Sequence, residues 1–596
     1  MDIEKNKETH KILLVMVATF LGLHSVAQAG DAKTEKRSKR GLMMVDPIGK
    51  APGKAADKPP EVDTRPFLPP KEYVLPPLPE RGQEGTSLAE QQQVMIKKIV
   101  VTGNTQEVMP DATIQKVTDA YVNRLVTLRE LFELRDELTR LYISRGYVTS
   151  GVVMKDQDVT NGTLELNVVE GRLTDITVHG NQALRSSVIS DRIANGLTPP
   201  LQLNQLEERL QLLRQREMIR TVKSELRPGL KAGEAALDVE VEEASPFFAS
   251  VSYHNHSSPN LGATKGETQV GWRSMLGLDD RLTLGYGNTN GVEDYALSYE
   301  IPLNAADTTL KMNFGQGTSE VVVEPFNTLG IISKTESYGI GLRHPFIKES
   351  GQELAASFGL QYRSSRTYLL GEPYDFTTGT ESGRSIVTTF NLGQEWVIRG
   401  ANQVVALHSE FSKGVGCCGA KVLPDEPNGR FLAWLGQAQW VRGVPEILDS
   451  QLIVKGAVRL TDNPMLTTEK FALGGADTVR GYRENLISRD QGGMISLEWR
   501  IPTTLSMPVP FVSELASYGG LTAALFYDYG RARDKGVTIS PPPDDISSVG
   551  LGLLWSISKN SIAEIYVADR LRNVPDFPNQ TAQDRGYHFR LNIATD

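Results

Sequence analysis

The chain has 596 residues, which is long for a single globular domain, and 23% of them are charged. Its formal net charge at pH 7 is -9, and this acidic balance argues against nucleic-acid binding, which usually needs a basic surface. The mean hydropathy of -0.27 excludes a helical membrane protein. It is compatible with a membrane β-barrel, because only alternate strand residues of such a barrel face lipid.

The N-terminus has the features of a secretory signal peptide. Lysines precede the apolar run 12–23, and the small residues Ala27 and Ala29 suit cleavage before Gly30. The apolar run is too short to span a membrane, and no second hydrophobic segment follows it. We therefore expect residues 1–29 to be removed during export to a bacterial envelope, with a short N-terminal anchor as the alternative.

Residues 30–93 have the composition of a linker. A basic patch comes first, and a stretch with several Pro-Pro pairs follows. Prolines at this density favour extended polyproline conformations and cannot support a folded core. We interpret the segment as a periplasmic spacer, and no convincing amphipathic helix precedes residue 84.

Residues 94–172 and 173–244 share one predicted order of elements, β-α-α-β-β. Apolar residues at steps of three or four predict helices, in the first segment over 112–124 and 128–144. Each segment opens with a strand that ends at a Gly-Asn pair: Gly103-Asn104 and Gly180-Asn181. Two segments of about 75 residues with one plan form an internal repeat. Small α+β domains of unrelated function share this plan, so the order alone does not assign a role.

From Phe247 onward, apolar residues alternate with polar or small ones. This period of two predicts strands whose two faces meet different surroundings. About sixteen such segments are present, and each is long enough to cross a membrane when tilted. They start near residues 247, 267, 281, 293, 308, 333, 352, 384, 402, 430, 449, 492, 519, 546, 561 and 586.

The connections between these segments alternate in length, as expected for short periplasmic turns and long outer loops. The one long turn on the periplasmic side is the proline-rich segment 503–517. A soluble sandwich is the alternative, but about 350 residues of alternation exceed one sandwich. We therefore predict a membrane barrel of sixteen antiparallel strands over residues 246–596, preceded by two α+β domains.

Two motifs within the barrel contain the candidate functional residues: Val479-Arg480-Gly481-Tyr482 and Phe526-x-Asp528-x-Gly530. The first lies in the sixth outer loop, and the alternation places the three named residues of the second on one strand face. An arginine offers a planar fork to a carboxylate, so Arg480 and Asp528 are the candidate pair. Glu498 and Arg500 are interpreted as part of a polar lumen lining.

The two motifs, the repeat and the barrel together resemble the TpsB family, the outer-membrane transporters of two-partner secretion. The resemblance covers most of the mature chain and identifies the repeated units as POTRA (polypeptide-transport-associated) domains. It implies that the sixth loop folds back into the lumen, where Arg480 pairs with Asp528. The family also places a plugging helix near the N-terminus, which is not evident here.

The resemblance implies a function in protein export. A large exoprotein would be recognised through its N-terminal secretion domain, cross the outer membrane unfolded without ATP, and fold outside, often as a haemolysin or adhesin. Periplasmic chaperones, the barrel-assembly machinery and outer-membrane lipid would be further partners. A barrel-insertion factor of the same superfamily is the alternative, and a passive porin would not need the POTRA repeat.

The sequence contains no motif for catalysis or for a cofactor. It lacks G-x-S-x-G and H-E-x-x-H, and no Walker spacing surrounds its glycines. Cys417 and Cys418 are its only cysteines, and adjacent cysteines cannot cross-link a fold. They are interpreted as an incidental loop pair or a strained vicinal disulfide rather than a metal site. We expect no enzyme activity, metal, cofactor or nucleic-acid partner.

Overall fold

The structure is a computed structural model that describes residues 93–596, apart from 106, 377–379, 421–426, 428, 509–517, 537–541, 559, 576 and 596. The expected signal peptide, and all but the last residue of the expected linker, lie outside the described residues. The described part forms two α+β units followed by a closed β-barrel. None of the helices in this part is both long and apolar enough to cross a membrane.

The first α+β unit contains five strands and two helices. They are β1 (Gln93–Ile96), β2 (Lys98–Thr102), α1 (Asp111–Thr118), β3 (Arg124–Thr127), α2 (Leu128–Ser144), β4 (Gly151–Val153) and β5 (Thr163–Val169). The main sheet has the order β2-β5-β4, and β1 pairs with β3 in a separate ribbon. The helix predicted over 112–124 is therefore wrong beyond Thr118. The chain instead continues into β3, where the fully buried Val126 pairs with Val94 of β1.

Helix α2 shows how the sequence sets a boundary. Thr127 and Glu130 form a capping box, in which Thr127 Oγ1 accepts from the Glu130 amide at 3.2 Å and the Glu130 carboxylate accepts from the Thr127 amide at 2.7 Å. The hydrogen bond from the Thr127 backbone lowers the pKa of Glu130. The buried face carries Leu131, Leu134, Leu138 and Tyr142.

The second α+β unit has the predicted β-α-α-β-β order. Its elements are β6 (Arg172–His179), α3 (Ser186–Ala194), α4 (Leu203–Arg214), β7 (Ile219–Pro228) and β8 (Glu234–Glu243). The sheet order β6-β8-β7, with β6 parallel to β8, matches the main sheet of the first unit. The two units therefore repeat one sheet plan.

Sixteen long strands of the described residues close into an antiparallel barrel, which confirms the predicted fold class. They are β9 (Phe247–His254), β10 (Lys265–Arg273), β11 (Arg281–Asn288), β12 (Val292–Pro302), β13 (Thr309–Glu320), β14 (Ile332–Lys348), β15 (Gln352–Leu369), β17 (Arg384–Arg399), β18 (Gln403–Val415), β19 (Leu432–Val444), β20 (Ser450–Thr461), β23 (Gln491–Pro508), β24 (Tyr518–Arg533), β25 (Asp545–Ser556), β26 (Ile562–Arg570) and β27 (Tyr587–Ala594). The two-residue β16 (Glu372–Pro373) pairs with the end of β15. The short strands β21 (Phe471–Leu473) and β22 (Ile487–Arg489) form a separate hairpin.

Every barrel strand begins within two residues of its predicted start. The exception in the predicted connections is the turn expected at 503–517. The first part of this segment is not a turn but continues β23 to Pro508. The pairing of β23 with β24 shifts register between Pro502 and Ser506, so β23 has additional residues there that are not paired with β24.

The two faces of the barrel wall have the polarity of a membrane protein. On β14, Tyr338, Ile340 and Leu342 point outward and are 43–49% exposed. Thr335 and Ser337, at the alternate positions, are buried inside. An exposed apolar face around a polar interior is expected when lipid surrounds the barrel.

The second α+β unit is seated on the barrel by buried charges. Asp279 and Asp307 lie in the turns after β10 and β12, and they face two arginines of the unit. Arg192 contacts Asp279 at 3.2 Å and Asp307 at 3.0 Å, while Arg216 Nε donates to Asp279 at 2.6 Å. Lys348 also contacts Asp307. Burial by itself raises the pKa of Asp307, but Arg216, Lys348 and Arg192 outweigh it and lower the pKa to about 2.

We predict that Asp307→Asn loosens this seat. Breaking a buried ion pair costs about 3–5 kcal/mol, because it leaves charges without a partner. Spin labels at L230C and L448C, with Cys417 and Cys418 replaced by serine, report the distance between the unit and a periplasmic turn. The distance distribution should broaden in the variant, whereas the exposed Glu225→Gln should leave it unchanged.

The same measurement tests the pH dependence of the seat. In the folded protein the pKa of Asp307 lies below its ordinary value of about 4. The ionised carboxylate therefore stabilises the seat fully above about pH 4, and this stabilisation is lost as the pH falls toward 2. The wild-type distribution should therefore broaden between about pH 4 and pH 2. An identical distribution in Asp307→Asn and wild type would contradict the role of this carboxylate.

Candidate functional site

Loop 6, residues 462–490, connects β20 and β23 and folds into the barrel. The hairpin of β21 and β22 forms its stem, and the motif containing Arg480 lies at its tip. The loop has an apolar core of its own that packs against the barrel wall. This core contains Phe471, Leu473, Val479, Tyr482 and Ile487 from the loop and Ala457, Met494, Ala532 and Ile546 from the wall.

Arg480 and Asp528 meet in a two-pronged contact. Arg480 Nε donates to Asp528 Oδ2 at 2.8 Å, and Nη2 donates to Oδ1 at 2.9 Å. The backbone amide of Arg480 also donates to Asp528 Oδ2 at 3.0 Å. Asp528 is fully buried and the Arg480 side chain is 6% exposed. The carboxylate therefore fixes both the side chain and the backbone of the loop tip.

The remaining faces of the Arg480 guanidinium are also occupied. Nη1 donates to Glu498, and Nη2 donates to Ser496 Oγ at 3.2 Å. The ring centroids of Phe526 and Tyr566 lie 3.6 and 4.7 Å from Arg480 Cζ, as in cation-π contacts. Glu498 thus belongs to the site, although the sequence placed it in the polar lining. Tyr566 was missed altogether.

Two glycines allow the loop to approach the wall this closely. Gly481 has φ +89°, and a Cβ there would lie 2.8 Å from the Ala568 Cβ. A Cβ on Gly530 would lie 2.9 Å from Leu473 and 3.1 Å from Val479 of the loop. A side chain at Gly481 would also be strained by the positive φ, and one at Gly530 would require Leu473 or Val479 of the loop to shift. These contacts account for both glycines of the two motifs.

Gly481 and Tyr482 attach the tip to further strands. The Gly481 amide donates to His588 Nε2 at 2.9 Å, and its carbonyl accepts from Arg570 Nε at 2.6 Å. The hydroxyl of Tyr482, which is fully buried, lies 2.8 Å from the Ser547 carbonyl oxygen. The motif therefore contacts β24 through Arg480, β25 through Tyr482, and β26 and β27 through Gly481.

A second anchor holds the opposite end of loop 6. Glu469 forms a buried ion pair with Arg363 of β15. Nearby, Met465 and Leu466 of the loop pack in an apolar cluster with Phe431 and wall residues of β17 and β19. The loop consequently spans the lumen from β15 to β27. This pair was not predicted, because neither residue lies in a motif.

Comparisons with known proteins agree with this architecture. Residues 233–554 match the family model for haemolysin secretion/activation protein ShlB/FhaC/HecB, and residues 94–171 match the ShlB-type POTRA domain. The first match alone covers more than half of the chain. The chain belongs to this family. It is an outer-membrane transporter with periplasmic POTRA domains, which confirms the resemblance, the fold class and the location expected from the sequence.

Individual relatives are similar at low identity. The outer membrane transporter CdiB of Escherichia coli O6:K15:H31 is 24% identical over 420 residues, covering 68% of this chain and 69% of the relative. The heme/hemopexin transporter protein HuxB of Haemophilus influenzae (strain Rd) is 22% identical over 504 residues, covering 80% and 83%. The solved structure of CdiB from Escherichia coli has a TM-score of 0.63 at 20% identity, covering 88% of this chain and 93% of that one. The last likeness shows a shared fold.

We predict that Glu469→Gln frees the first limb of loop 6 while the tip stays in place. The substitution leaves the buried Arg363 without its counter-charge, and breaking such a pair costs about 3–5 kcal/mol. Amide hydrogen exchange should accelerate over residues 464–473 and change little over 478–483.

The matched control is Glu336→Gln, which removes an exposed carboxylate on β14. It should leave exchange in loop 6 unchanged. Equal acceleration in both parts of the loop would show that the two anchors are one unit, and no acceleration would remove Arg363 and Glu469 from the site.

Proposed function

We propose that the protein recognises a large partner exoprotein in the periplasm and secretes it through the barrel without ATP, acting as a translocator and not as an enzyme. The observation that carries the proposal is the buried Arg480–Asp528 contact, which holds loop 6 inside the lumen of a chain of this family. In this proposal the contact keeps the loop in its transport-competent position. The two motifs then act together as one functional site.

The two α+β units would receive the client. In the second unit β6 and β7 are the edge strands, and in the main sheet of the first unit β2 and β4 are. An extended chain can pair with such an edge through its backbone, which suits a client that arrives unfolded. The expected client carries an N-terminal secretion domain. Relatives named as hemolysin and heme/hemopexin transporters support this class of partner.

Other partners follow from the route of such a client. Periplasmic chaperones would keep it unfolded, and the barrel-assembly machinery would insert the transporter itself. The matched family is one of secretion proteins, and no observation favours the alternative of a barrel-insertion factor. Folding of the client outside the cell would supply the driving force in place of a nucleotide.

We predict that Arg480→Ala impairs secretion while leaving barrel insertion largely intact. Asp528→Ala should have a similar but smaller effect, because Glu498 remains to neutralise Arg480. The cost for a desolvated pair is about 2–5 kcal/mol. The double variant should be little worse than Arg480→Ala, since members of one interaction do not add. Arg480→Lys should rescue only partly because lysine lacks the fork.

The measurement compares secreted partner in the medium with folded, heat-modifiable barrel in the outer membrane. Arg531→Ala, which removes an exposed arginine from the same strand as Asp528, is the control and should secrete normally. If the losses of the two single variants add in the double variant, the residues act independently and the proposed unit is wrong.

We also predict that deleting residues 94–244 abolishes secretion, because the client loses its binding surface in the periplasm. Binding of the partner's N-terminal region should be detectable with the full-length protein and absent with the inserted barrel alone. Levels of other outer-membrane proteins should stay normal, whereas a barrel-insertion factor would lower them. Normal secretion by a correctly inserted deletion variant would refute the role of the two units.

A further inference from the structure

A cavity of about 330 Å³ lies between the second α+β unit and the outside of the barrel. Helix α4 and the end of α3 form one side of it. The turn after β12 and the periplasmic end of β14 form the other side. The charged residues on its wall are Arg192, Arg209, Arg216, Asp307 and Lys348.

The cavity opens toward lipid at the periplasmic rim of the barrel. Its wall includes His344, which follows Ile340 and Leu342 on the outward face of β14. Phe346 lies against His344 with their rings edge to face at 5.0 Å, and it is 68% exposed. Leu303, in the neighbouring turn, is 53% exposed. An exposed aromatic ring beside basic residues at the end of membrane strands is typical of the headgroup region.

Positive charge exceeds negative charge in this cavity. The wall carries four cations, while Asp307 on the wall and Asp279 behind it supply two carboxylates. These two aspartates are engaged by Arg192, Arg216 and Lys348. Glu208, which is on α4, does not line the cavity, and its carboxylate accepts a hydrogen bond from the Ser350 hydroxyl of the barrel.

Arg209 is the cation that the aspartates do not reach. Among the described residues it forms no ion pair or hydrogen bond, and its guanidinium lies over Gly196, where a Cβ would be 3.0 Å from Nη2. A guanidinium presents a planar fork that matches phosphate oxygens. A half-buried, unpaired arginine at a lipid-facing rim is therefore suited to a phosphate group held at the membrane surface.

We propose that this cavity binds the phosphate of a phospholipid from the periplasmic leaflet. Arg209 contacts the phosphate directly, Lys348 adds charge, and Phe346 packs beside the start of the acyl chains. The bound lipid fills the gap between α4 and the barrel. It thereby links the second unit to the membrane as well as to the barrel turns.

The full-length protein, purified and depleted of loosely bound lipid, is titrated with phosphatidylglycerol and followed by native mass spectrometry. Wild type should retain one phospholipid at this site. Arg209→Gln should bind it about fivefold more weakly, which is the effect expected for one basic residue near a membrane surface. Phe346→Ala should weaken retention as well. Arg220→Gln, which removes an exposed arginine of the same unit, should match wild type. Heat-modifiable mobility verifies that every variant is folded.

Two further probes separate the sources of the phosphate. Diacylglycerol, which lacks the phosphate, should not be retained, and inorganic phosphate should bind more weakly than the lipid. Equal retention of phosphatidylglycerol by Arg209→Gln and wild type would overturn the proposal. Equal retention of diacylglycerol would show an apolar wedge only, and binding of inorganic phosphate without lipid would show a site for the free anion, so either result would overturn it too.

Discussion

The structure depends on one buried charge, the guanidinium of Arg480 inside the barrel. An isolated ion removed from water is costly, so its position requires counter-charges and hydrogen bonds on every side. Asp528 supplies a matched fork, Glu498 a second carboxylate, and Phe526 and Tyr566 two aromatic faces. These groups come from β23, β24 and β26, so the arginine can occupy its site only when the barrel wall is assembled around it.

That requirement explains the composition of the wall near the tip. Gly530, Ala568 and Ser496 are small, and each faces the loop where a larger side chain would displace it. A loop of nearly thirty residues has little intrinsic stability, since ordering each residue costs about 1–2 kcal/mol in backbone entropy. Apolar packing of Tyr482 and Val479 offsets part of that cost, and the charge network determines which position the loop adopts.

Much of this architecture was predictable from the sequence. Alternation with a period of two reports directly which face a residue occupies, so the strand starts were found within two residues. The two motifs identified Arg480 and Asp528 because both lie in recognisable patterns. Helix 112–124 was predicted too long, since the ribbon of β1 and β3 depends on a pairing partner thirty residues away. Local periodicity carries no information about such partners.

The same limit explains the missed site residues. Alternation places Glu498 and Tyr566 inside the barrel, but it does not give their height or their distance from the loop. The ion pair of Glu469 with Arg363 depends on how far loop 6 reaches across the lumen, toward a strand more than one hundred residues earlier in the chain. Contacts of this kind are set by the diameter of the closed barrel and the path of the loop, and neither is encoded in a local pattern.

The two anchors of loop 6 differ in how they are built. Moving the tip would break the three contacts of Arg480 with Asp528 and its contact with Glu498, and it would also expose two aromatic faces. Moving the limb would break the ion pair of Glu469 with Arg363 and the contact of Lys470 with Asp534 at 2.8 Å, and it would undo the apolar packing of Met465 and Leu466. Charge-assisted contacts to a shared carboxylate reinforce one another, so the contacts at the tip act together. The tip is therefore held by one connected charge network on neighbouring strands, whereas the limb is held by separate contacts with β15, with the residue that follows β24, and with the wall at β17 and β19.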